Sequence, residues 1–336
     1  MAPPLPPVII YQYDTSPFSH KIDNVLVLKN ITHYKVDVSP TLPRPEITDL
    51  LGIAYRRIPI LAIGNDIYCD TSLIASALER RFPVSAGYGT IFPRPKHGGS
   101  PDTGMVKAFA RYYADAVLFP AAPSLIPWEK LPPSFVEDRS MFFGATINVD
   151  TIIASRGKSL TVLSSHLSLV EEQLDDGREW LFDTELPSFA DISIHFIFNW
   201  LKGFKAARAL YDAAALPHTL KWLDRMSAFI NKKRLAQVAS QKLSGAQAAT
   251  LIVSSEPESY DVVGFDNAEA ERIGLKLGAI AQVFPDDTGR NYPTFGKLVG
   301  LNMDEAVFEV QGPQGLLRCH FPRLGFTILP GRLPRL

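Results

Sequence analysis

The chain has 336 residues, 46% of them hydrophobic and 21% charged, and its formal net charge is −1. So small a charge creates no general attraction for nucleic acid or an anionic membrane. The two cysteines, Cys69 and Cys319, are too few and too widely spaced for a disulfide framework, and no Cys/His cluster has metal-ligand spacing. The most apolar helical stretch, ISIHFIFNWL, is too short to cross a bilayer, and the start lacks the pattern of a secretory signal. These features predict a cytoplasmic protein with no metal, membrane or nucleic-acid partner.

The first predicted elements are a strand and a helix. Residues 8–13, VIIYQY, form a short apolar run rich in β-branched and aromatic residues, which is typical of a buried strand. Ser16 and Pro17 then provide an N-cap residue and a first-turn proline for a helix that runs to about residue 30.

The next predicted elements complete a small domain over residues 1–83. A second strand and a short helix follow at 33–39 and 44–53. IPILAI and IYC, joined through Gly-Asn, predict a hairpin, after which Asp70 or Thr71 caps an amphipathic helix. The predicted order is βαβαββα, which implies a mixed sheet with helices on both faces.

The middle of the chain is predicted to be helical. Residues 84–104 have the proline- and glycine-rich composition of a linker. Residues 105–243 carry apolar residues at helical spacing and no convincing strand. Ser188 and Asp191 form a capping box ahead of the apolar run ISIHFIF, which specifies the start of that helix.

Residues 250–336 change character again. Short runs rich in Val and Phe alternate with turn sequences, which predicts a small antiparallel β-barrel built from TLIVSS, GAIAQVFP, GKLVGLN, AVFEVQG, LLRCHF and FTIL. This segment has 8 Lys and Arg against 11 Asp and Glu. An acidic balance argues against a nucleic-acid-binding module, for which a basic stripe is the usual sign.

Three short motifs carry a family resemblance: SPFSHKI, RRIP and DTSLIASALE. Together with the βαβαββα order and the capping box, they make residues 8–235 resemble a glutathione transferase, in the style of fungal serine-type, tau-like or Ure2-like members. The resemblance implies a multidomain α/β plus all-α architecture, with a thioredoxin-like domain and a helical domain. Residues 250–336 lie outside it as a fused β-module.

The resemblance also implies a glutathione site. In the family the proline at position 59 is cis and holds the main-chain N–H and C=O of the preceding residue, Ile58, toward the cleft, where they pair with the cysteinyl part of glutathione. Thr71 and the free N–H groups of its helix would accept the γ-glutamyl carboxylate, and Asp70 would attract the ammonium group. Ser16 matches the catalytic serine that stabilises the thiolate. The family usually has Glu-Ser or Asp-Ser where this chain has Asp-Thr, which keeps the same chemistry but shifts the reach of the side chains slightly.

Further residues extend the predicted site. Arg57, together with Arg56, is placed to reach the glycyl carboxylate of glutathione. An apolar pocket for the second substrate is predicted from four aromatic residues, Tyr112, Tyr113, Phe119 and Trp128.

Each predicted site residue also has a purely structural interpretation. Ser16 and the Asp70-Thr71 pair could be helix caps alone, and Arg56 and Arg57 could be surface charges. Tyr13 is a rival catalytic hydroxyl, although a strand position facing the core is the more ordinary role.

The predicted function is a homodimeric glutathione transferase that uses glutathione as cosubstrate against a hydrophobic electrophile, in secondary metabolism or detoxification. Two alternatives remain open at this level: a glutathione-assisted isomerase, and a non-catalytic ligand carrier or regulator. A Ser-His-Asp hydrolase and a Rossmann oxidoreductase fit poorly, because the chain has neither G-x-S-x-G nor a G-x-G-x-x-G after the first strand.

Overall fold

A computed structural model describes residues 5–331, so the outer ends of the first predicted domain and of the C-terminal module lie outside the described residues. The N-terminal elements are β1 Val8–Gln12, α1 Pro17–Lys29, β2 Tyr34–Asp37, α2 Pro45–Leu51, β3 Ile60–Ile63, β4 Asp66–Cys69 and α3 Thr71–Arg81. β1 pairs in parallel with β2 and antiparallel with β3, which pairs antiparallel with β4. The predicted βαβαββα order is therefore confirmed.

The middle region is helical, as predicted. α4 Thr103–Ala108 runs directly into π-helical turns (Phe109–Leu118) and a 3₁₀ stretch (Phe119–Leu125). Four longer helices follow: α5 Pro133–Phe143, α6 Val149–Leu174, α7 Phe189–Leu201 and α8 Pro217–Leu235. The expectation of no strand before residue 243 is wrong in one detail, because the two-residue strand β5 Gln241–Lys242 pairs with β2.

The predicted capping box starts α7. The fully buried carboxylate of Asp191 accepts hydrogen bonds from the backbone N–H and the hydroxyl of Ser188, at 2.8 and 2.7 Å. It also accepts from the backbone N–H of Leu181 and the indole of Trp222, at 2.9 and 3.0 Å. One carboxylate thus ties the start of α7 to the preceding loop and to α8.

The C-terminal region begins with three short helices, α9 Gly245–Val253, α10 Tyr260–Val263 and α11 Asn267–Arg272. Five strands follow, namely β6 Ile280–Pro285, β7 Thr294–Leu301, β8 Glu305–Gln311, β9 Leu316–Pro322 and β10 Phe326–Pro330. The prediction of a strand at TLIVSS is wrong, because the first four residues of this run form the end of α9. Ser244 and Gln247 make a capping box that starts this helix, and such a cap outweighs the β propensity of a short apolar run.

The C-terminal strands continue the N-terminal sheet. β9 pairs in parallel with β4, which gives one ten-stranded sheet in the order β10-β6-β7-β8-β9-β4-β3-β1-β2-β5. The separate small barrel predicted for this region is not confirmed, because the described sheet is open, with β10 and β5 at its edges. Strand β4 would otherwise expose a row of unpaired backbone groups, and β9 satisfies them.

Both faces of the sheet are covered. Ile10 of β1 belongs to the core that α1, α3 and the large helices form on one face. Its neighbours Ile9 and Tyr11 belong to a second core, which includes α2, α9 and the C-terminal strands. Alternate residues of one strand therefore anchor the helical region and the C-terminal region on opposite faces.

Candidate active site

The register of three strands brings the predicted site residues to one end of the sheet. Tyr11 of β1 lies opposite Ile60 of β3, and Ile60 lies opposite Cys69 of β4. The N-terminus of α1 follows the end of β1, the N-terminus of α3 follows the end of β4, and the segment leading into β3 lies between them. Because neighbouring strands are about 4.8 Å apart, both helix N-termini flank the start of β3 within about 10 Å.

Ser16 is the N-cap of α1 and is 2% exposed. Its hydroxyl oxygen accepts the backbone N–H of Ser19 at 3.2 Å, and Pro17 occupies the first helical position. The hydroxyl proton has no acceptor among the residues that the structure describes. A group bound at this helix end would therefore meet one O–H donor and the positive end of a 13-residue helix.

The segment before β3 presents free backbone groups. The Ile58–Pro59 peptide bond is cis, and Ile58 is 9% exposed. Neither the N–H nor the C=O of Ile58 has a hydrogen-bond partner within residues 5–331. An extended peptide lying against this segment could pair with both groups in the manner of an added strand.

Asp70 caps α3 from a left-handed backbone conformation, with φ of 75°. One carboxylate oxygen accepts the N–H and the hydroxyl of Ser72, at 3.0 and 2.6 Å, and the other lies 3.8 Å from Arg57 and 3.7 Å from Arg111. Burial opposes ionisation of Asp70, but the two guanidinium groups and the hydrogen bonds from Ser72 outweigh it, so the pKa of Asp70 is lowered. Thr71 follows at the first helical position and is buried. Both members of the predicted γ-glutamyl pair thus lie at one helix N-terminus.

Arg56 and Arg57, predicted to reach the glycyl carboxylate, are both paired within the chain. Arg56 is 4% exposed and donates to the carboxylate of Asp138 in α5 at 2.9 Å. Arg57 donates to the carboxylate of Asp287 and, at 2.7 Å, to the carbonyl of Thr288. These partners come from α5 and from the C-terminal region, 82 and 230 positions away, so no local sequence signal could have revealed them.

C-terminal segments contact the arginines beside the groove, which is the space between the start of β3 and the N-termini of α1 and α3. Gly289, in the loop between β6 and β7, donates its N–H to a carbonyl of α5 at 2.9 Å. The ring of Phe326 lies 5.9 Å from the guanidinium of Arg57, and Gly325 packs so closely on Arg111 that a side chain there would collide with its guanidinium. The loop before β7 and the turn before β10 therefore lie against the arginines beside the groove.

A buried ion pair that the sequence did not reveal lies behind the site. Lys21 of α1 is fully buried and donates to both carboxylate oxygens of Asp115 at 2.8 Å. Burial lowers the pKa of Lys21 and raises the pKa of Asp115. Asp115 and Arg111 are both in the π-helical turns, which places this pair and the Asp70 contacts on one segment. A lysine within an amphipathic helix looks like a surface residue, so sequence gives no sign of this role.

The four predicted pocket aromatics do not form one pocket. Tyr112 is half-exposed, the hydroxyl of Tyr113 bonds a histidine of α6 at 3.0 Å, and the indole of Trp128 bonds a nearby carbonyl at 2.7 Å. Only Phe119 lies beside α1, with its ring 4.6 Å from that of Phe18. Tyr112, Tyr113 and Phe119 lie on the continuous stretch from 109 to 125, whereas Trp128 lies in a separate short turn, and their contacts differ.

Tyr13, Cys69 and Cys319 also carry a hydroxyl or a thiol, but their surroundings fit structural roles. The hydroxyl of Tyr13 lies 3.4 Å from Arg139, outside the Ser16 cap. Cys69 and Cys319 are fully buried, and burial raises the pKa of both thiols, which disfavours a reactive thiolate. Ser16 is therefore the one of these groups that combines a free O–H with a helix N-terminus.

Within residues 5–331, no cluster of three or more His, Cys, Asp or Glu side chains could hold a metal ion. None of the described helices combines the length and hydropathy needed to cross a membrane.

Comparison with known proteins identifies the architecture. Residues 10–87 match the family model of the glutathione S-transferase N-terminal domain, and residues 118–234 match a domain of unknown function. No curated protein matches the chain. The structure is similar to a GST-like protein from Pseudomonas syringae, with 26% identity and a TM-score of 0.68, over 97% of this chain and 100% of that one. Similarity over nearly the whole chain includes the C-terminal strands.

Weaker structural likeness extends to plant enzymes. A rice GST in complex with glutathione is 16% identical, with a TM-score of 0.48, over 73% of this chain and 95% of that one. A poplar glutathione transferase mutant is 15% identical, with a TM-score of 0.49, over 68% and 99%. The match of residues 10–87 to the family model and the similarity to the Pseudomonas syringae protein show that the chain has a glutathione-transferase-like fold with an N-terminal thioredoxin-like domain.

Proposed function

We propose that this protein is a glutathione-dependent transferase in which Ser16 stabilises the thiolate of glutathione. The observation that carries the proposal is the unused O–H of Ser16 at the N-terminus of α1, at the same sheet end as the unpaired backbone of Ile58. A peptide thiol has a pKa of about 8.5, so little thiolate forms at neutral pH without such help. A donated hydrogen bond and the helix dipole both favour the charged form.

The remaining groups of the groove would position the tripeptide. Its cysteinyl backbone would pair with Ile58 as an added strand, and its γ-glutamyl end would lie at the N-terminus of α3, beside Asp70 and Thr71. Arg111, which the sequence did not indicate, lies 3.7 Å from Asp70 and adds a positive charge there. The thiolate would then attack an apolar electrophile held near Phe18 and Phe119.

The test separates the hydroxyl donor from the helix cap. Ser16→Ala removes both, Ser16→Asp keeps a capping side chain without a donor, and Ser16→Thr keeps the O–H. We expect conjugation of glutathione with a generic aromatic electrophile to fall at least tenfold in the Ala and Asp variants and to persist in the Thr variant. Ser19→Ala, at an equally buried position on the same helix, is the matched control. Equal activity of wild type and Ser16→Asp would refute the role of Ser16.

The same assay distinguishes conjugation from isomerisation. Consumption of glutathione in proportion to product supports a transferase, whereas product formation with glutathione fully recovered supports the isomerase alternative. Light scattering on the purified protein measures whether the homodimer implied by the resemblance forms.

A non-catalytic carrier or regulator is the second candidate, and one observation favours it. Arg56 and Arg57 are paired with Asp138 and Asp287, so the chain itself supplies the carboxylates that those arginines would otherwise take from a ligand. Calorimetric titration with glutathione decides between the two. Binding with a one-to-one ratio supports the enzyme, and no binding at millimolar glutathione supports the carrier.

A further inference from the structure

A cavity of about 320 Å³ lies on the far side of α1, between α1, α7 and α8. Its lining is mostly polar, with His20 and Asn24 from α1, His195 and Asn199 from α7, and Ser227 and Asn231 from α8. A volume near 300 Å³ is at the lower end of the range for small-molecule sites. None of the residues proposed to hold glutathione lines it, although Phe196 of the lining packs on Phe18 and Trp200 on Phe119, near which the electrophile is proposed to lie.

One residue of the cavity lining, His195, carries an unsatisfied polar atom. His195 is 2% exposed, and its Nε2 lies 2.8 Å from the hydroxyl of Ser227, which also lines the cavity. Its Nδ1 is buried without a partner among residues 5–331. An unpaired buried nitrogen costs free energy, so a ring that lines a cavity in this state is suited to a ligand that supplies the missing hydrogen bond.

The His195–Ser227 pair is suited to binding rather than to nucleophilic catalysis. Burial lowers the pKa of His195 to about 4, with a smaller effect of the same sign from Lys202, so the imidazole is a weak base. No carboxylate orients its second nitrogen, as a nucleophile–base pair would require. The neutral ring can donate or accept one hydrogen bond at Nδ1, depending on its tautomer.

The charge of the lining limits the ligand class. No carboxylate lines the cavity, which disfavours a cation. The one guanidinium there, that of Arg234, is paired with Asp23 and lies 3.4 Å from Asn24. Its charge is therefore already compensated within the chain, which disfavours an anionic ligand. Three asparagines offer amides that both donate and accept, and amides of this kind pair with the donor-acceptor edge of a heteroaromatic ring. Trp200 adds an aromatic surface on which such a ring can lie.

We propose that the cavity between α1, α7 and α8 binds a small, neutral heteroaromatic ring of the lactam type, with donors and acceptors along its edge and one polar group directed to His195. This site is independent of the glutathione groove, so its occupancy requires neither glutathione nor Ser16.

Calorimetric titration of the full-length protein with hypoxanthine at neutral pH tests the proposal. Benzoate and benzamidine, rings of similar width that carry a negative and a positive charge, are titrated in parallel. We expect hypoxanthine to bind at one site with a Kd below about 1 mM and both charged rings to bind at least tenfold more weakly. Absence of hypoxanthine binding, or equal or tighter binding of either charged ring, overturns the proposal.

Two variants locate the site. His195→Phe removes the imidazole, and Asn231→Leu changes an exposed position of the lining whose replacement leaves the core intact. We expect each to weaken hypoxanthine binding at least tenfold, whereas Asn267→Leu, at an exposed asparagine outside the cavity, leaves it unchanged. Unchanged affinity in Asn231→Leu overturns the assignment even if His195→Phe fails to fold.

Discussion

Replacing His320 with Phe is expected to destabilise the protein where the C-terminal strands join the N-terminal sheet, at the pairing of β4 with β9. The imidazole lies between two carboxylates, 3.1 Å from Asp66 of β4 and 2.9 Å from Glu305 of β8, and all three side chains are at most 2% exposed. Removing one member of a buried ionic cluster costs about 3–5 kcal/mol, because the remaining charges stay buried. Here Arg81 still pairs with Asp66 at 2.9 Å and Arg80 with Glu305 at 2.6 Å, so we expect the lower end, about 3 kcal/mol.

Phe is chosen because it keeps the ring. The imidazole lies 4.4 Å from the ring of Tyr68, and a phenyl group preserves that contact while removing both hydrogen bonds. Urea denaturation at pH 6 measures the loss, and a thermal scan should show a fall in Tm of roughly 4 °C, because the entropy of unfolding of a chain this long is about 0.7 kcal/mol/K. His97→Phe, at a histidine that is 88% exposed, is the control and should change stability by less than about 0.5 kcal/mol.

The pH dependence gives a sharper test. Burial opposes the charged form of His320, but its hydrogen bonds to Asp66 and Glu305 prevail, and its pKa is raised above 6.5. The contribution of His320 to the free energy of unfolding is therefore complete below pH 6.5 and is lost as pH rises through its pKa in the folded protein. Burial likewise opposes ionisation of both carboxylates, but His320 and the arginines lower their pKa values, so their contribution is lost as pH falls through those values.

The difference in stability between wild type and His320→Phe should therefore be largest between about pH 5 and 6.5 and should shrink on the alkaline side. A difference below about 0.5 kcal/mol at pH 6, or one that grows steadily above pH 7, would refute the reasoning.

Three further predictions concern other charged side chains. Asp191→Ala should lower stability by at least about 3 kcal/mol in urea denaturation, because four donors lose their acceptor. Lys21→Met should cost about 3–5 kcal/mol in the same assay, whereas the double variant Lys21→Met with Asp115→Leu should recover most of that loss, since it leaves no unpaired buried charge. Asp287→Asn should tighten glutathione binding several-fold in calorimetry, because it frees Arg57 for the glycyl carboxylate of the ligand.

Each of these predictions has a control and a contrary outcome. Asp224→Ala, at a carboxylate that is 77% exposed, should leave stability within about 0.5 kcal/mol of wild type. A double variant no more stable than Lys21→Met would contradict the electrostatic explanation for that pair. Asp286→Asn, next to Asp287 but hydrogen-bonded to Thr327, should not change glutathione affinity. Weaker binding in Asp287→Asn would show that Asp287 belongs to the ligand site.

Local patterns were sufficient for much of the fold. Ser16-Pro17 predicts the start of α1, and Ser188 with Asp191 predicts the start of α7, because a cap is satisfied by residues three positions away. The Gly64-Asn65 turn predicts the β3–β4 hairpin for the same reason. Ser244 and Gln247 form the same kind of cap, and it makes the run TLIV helical where its apolar composition predicts a strand.

The surroundings of the candidate site depended on contacts between distant parts of the chain. Arg56 and Arg57 meet Asp138 and Asp287 across 82 and 230 positions, and β9 pairs with β4 although the whole helical region separates them in the sequence. Hydrogen bonds within a turn or cap are encoded by neighbouring residues, so the sequence by itself determined the elements and the helix end that holds Ser16. The pairing of distant charges and the position of the C-terminal strands beside the groove follow from how those elements pack. Only the tertiary structure decided both.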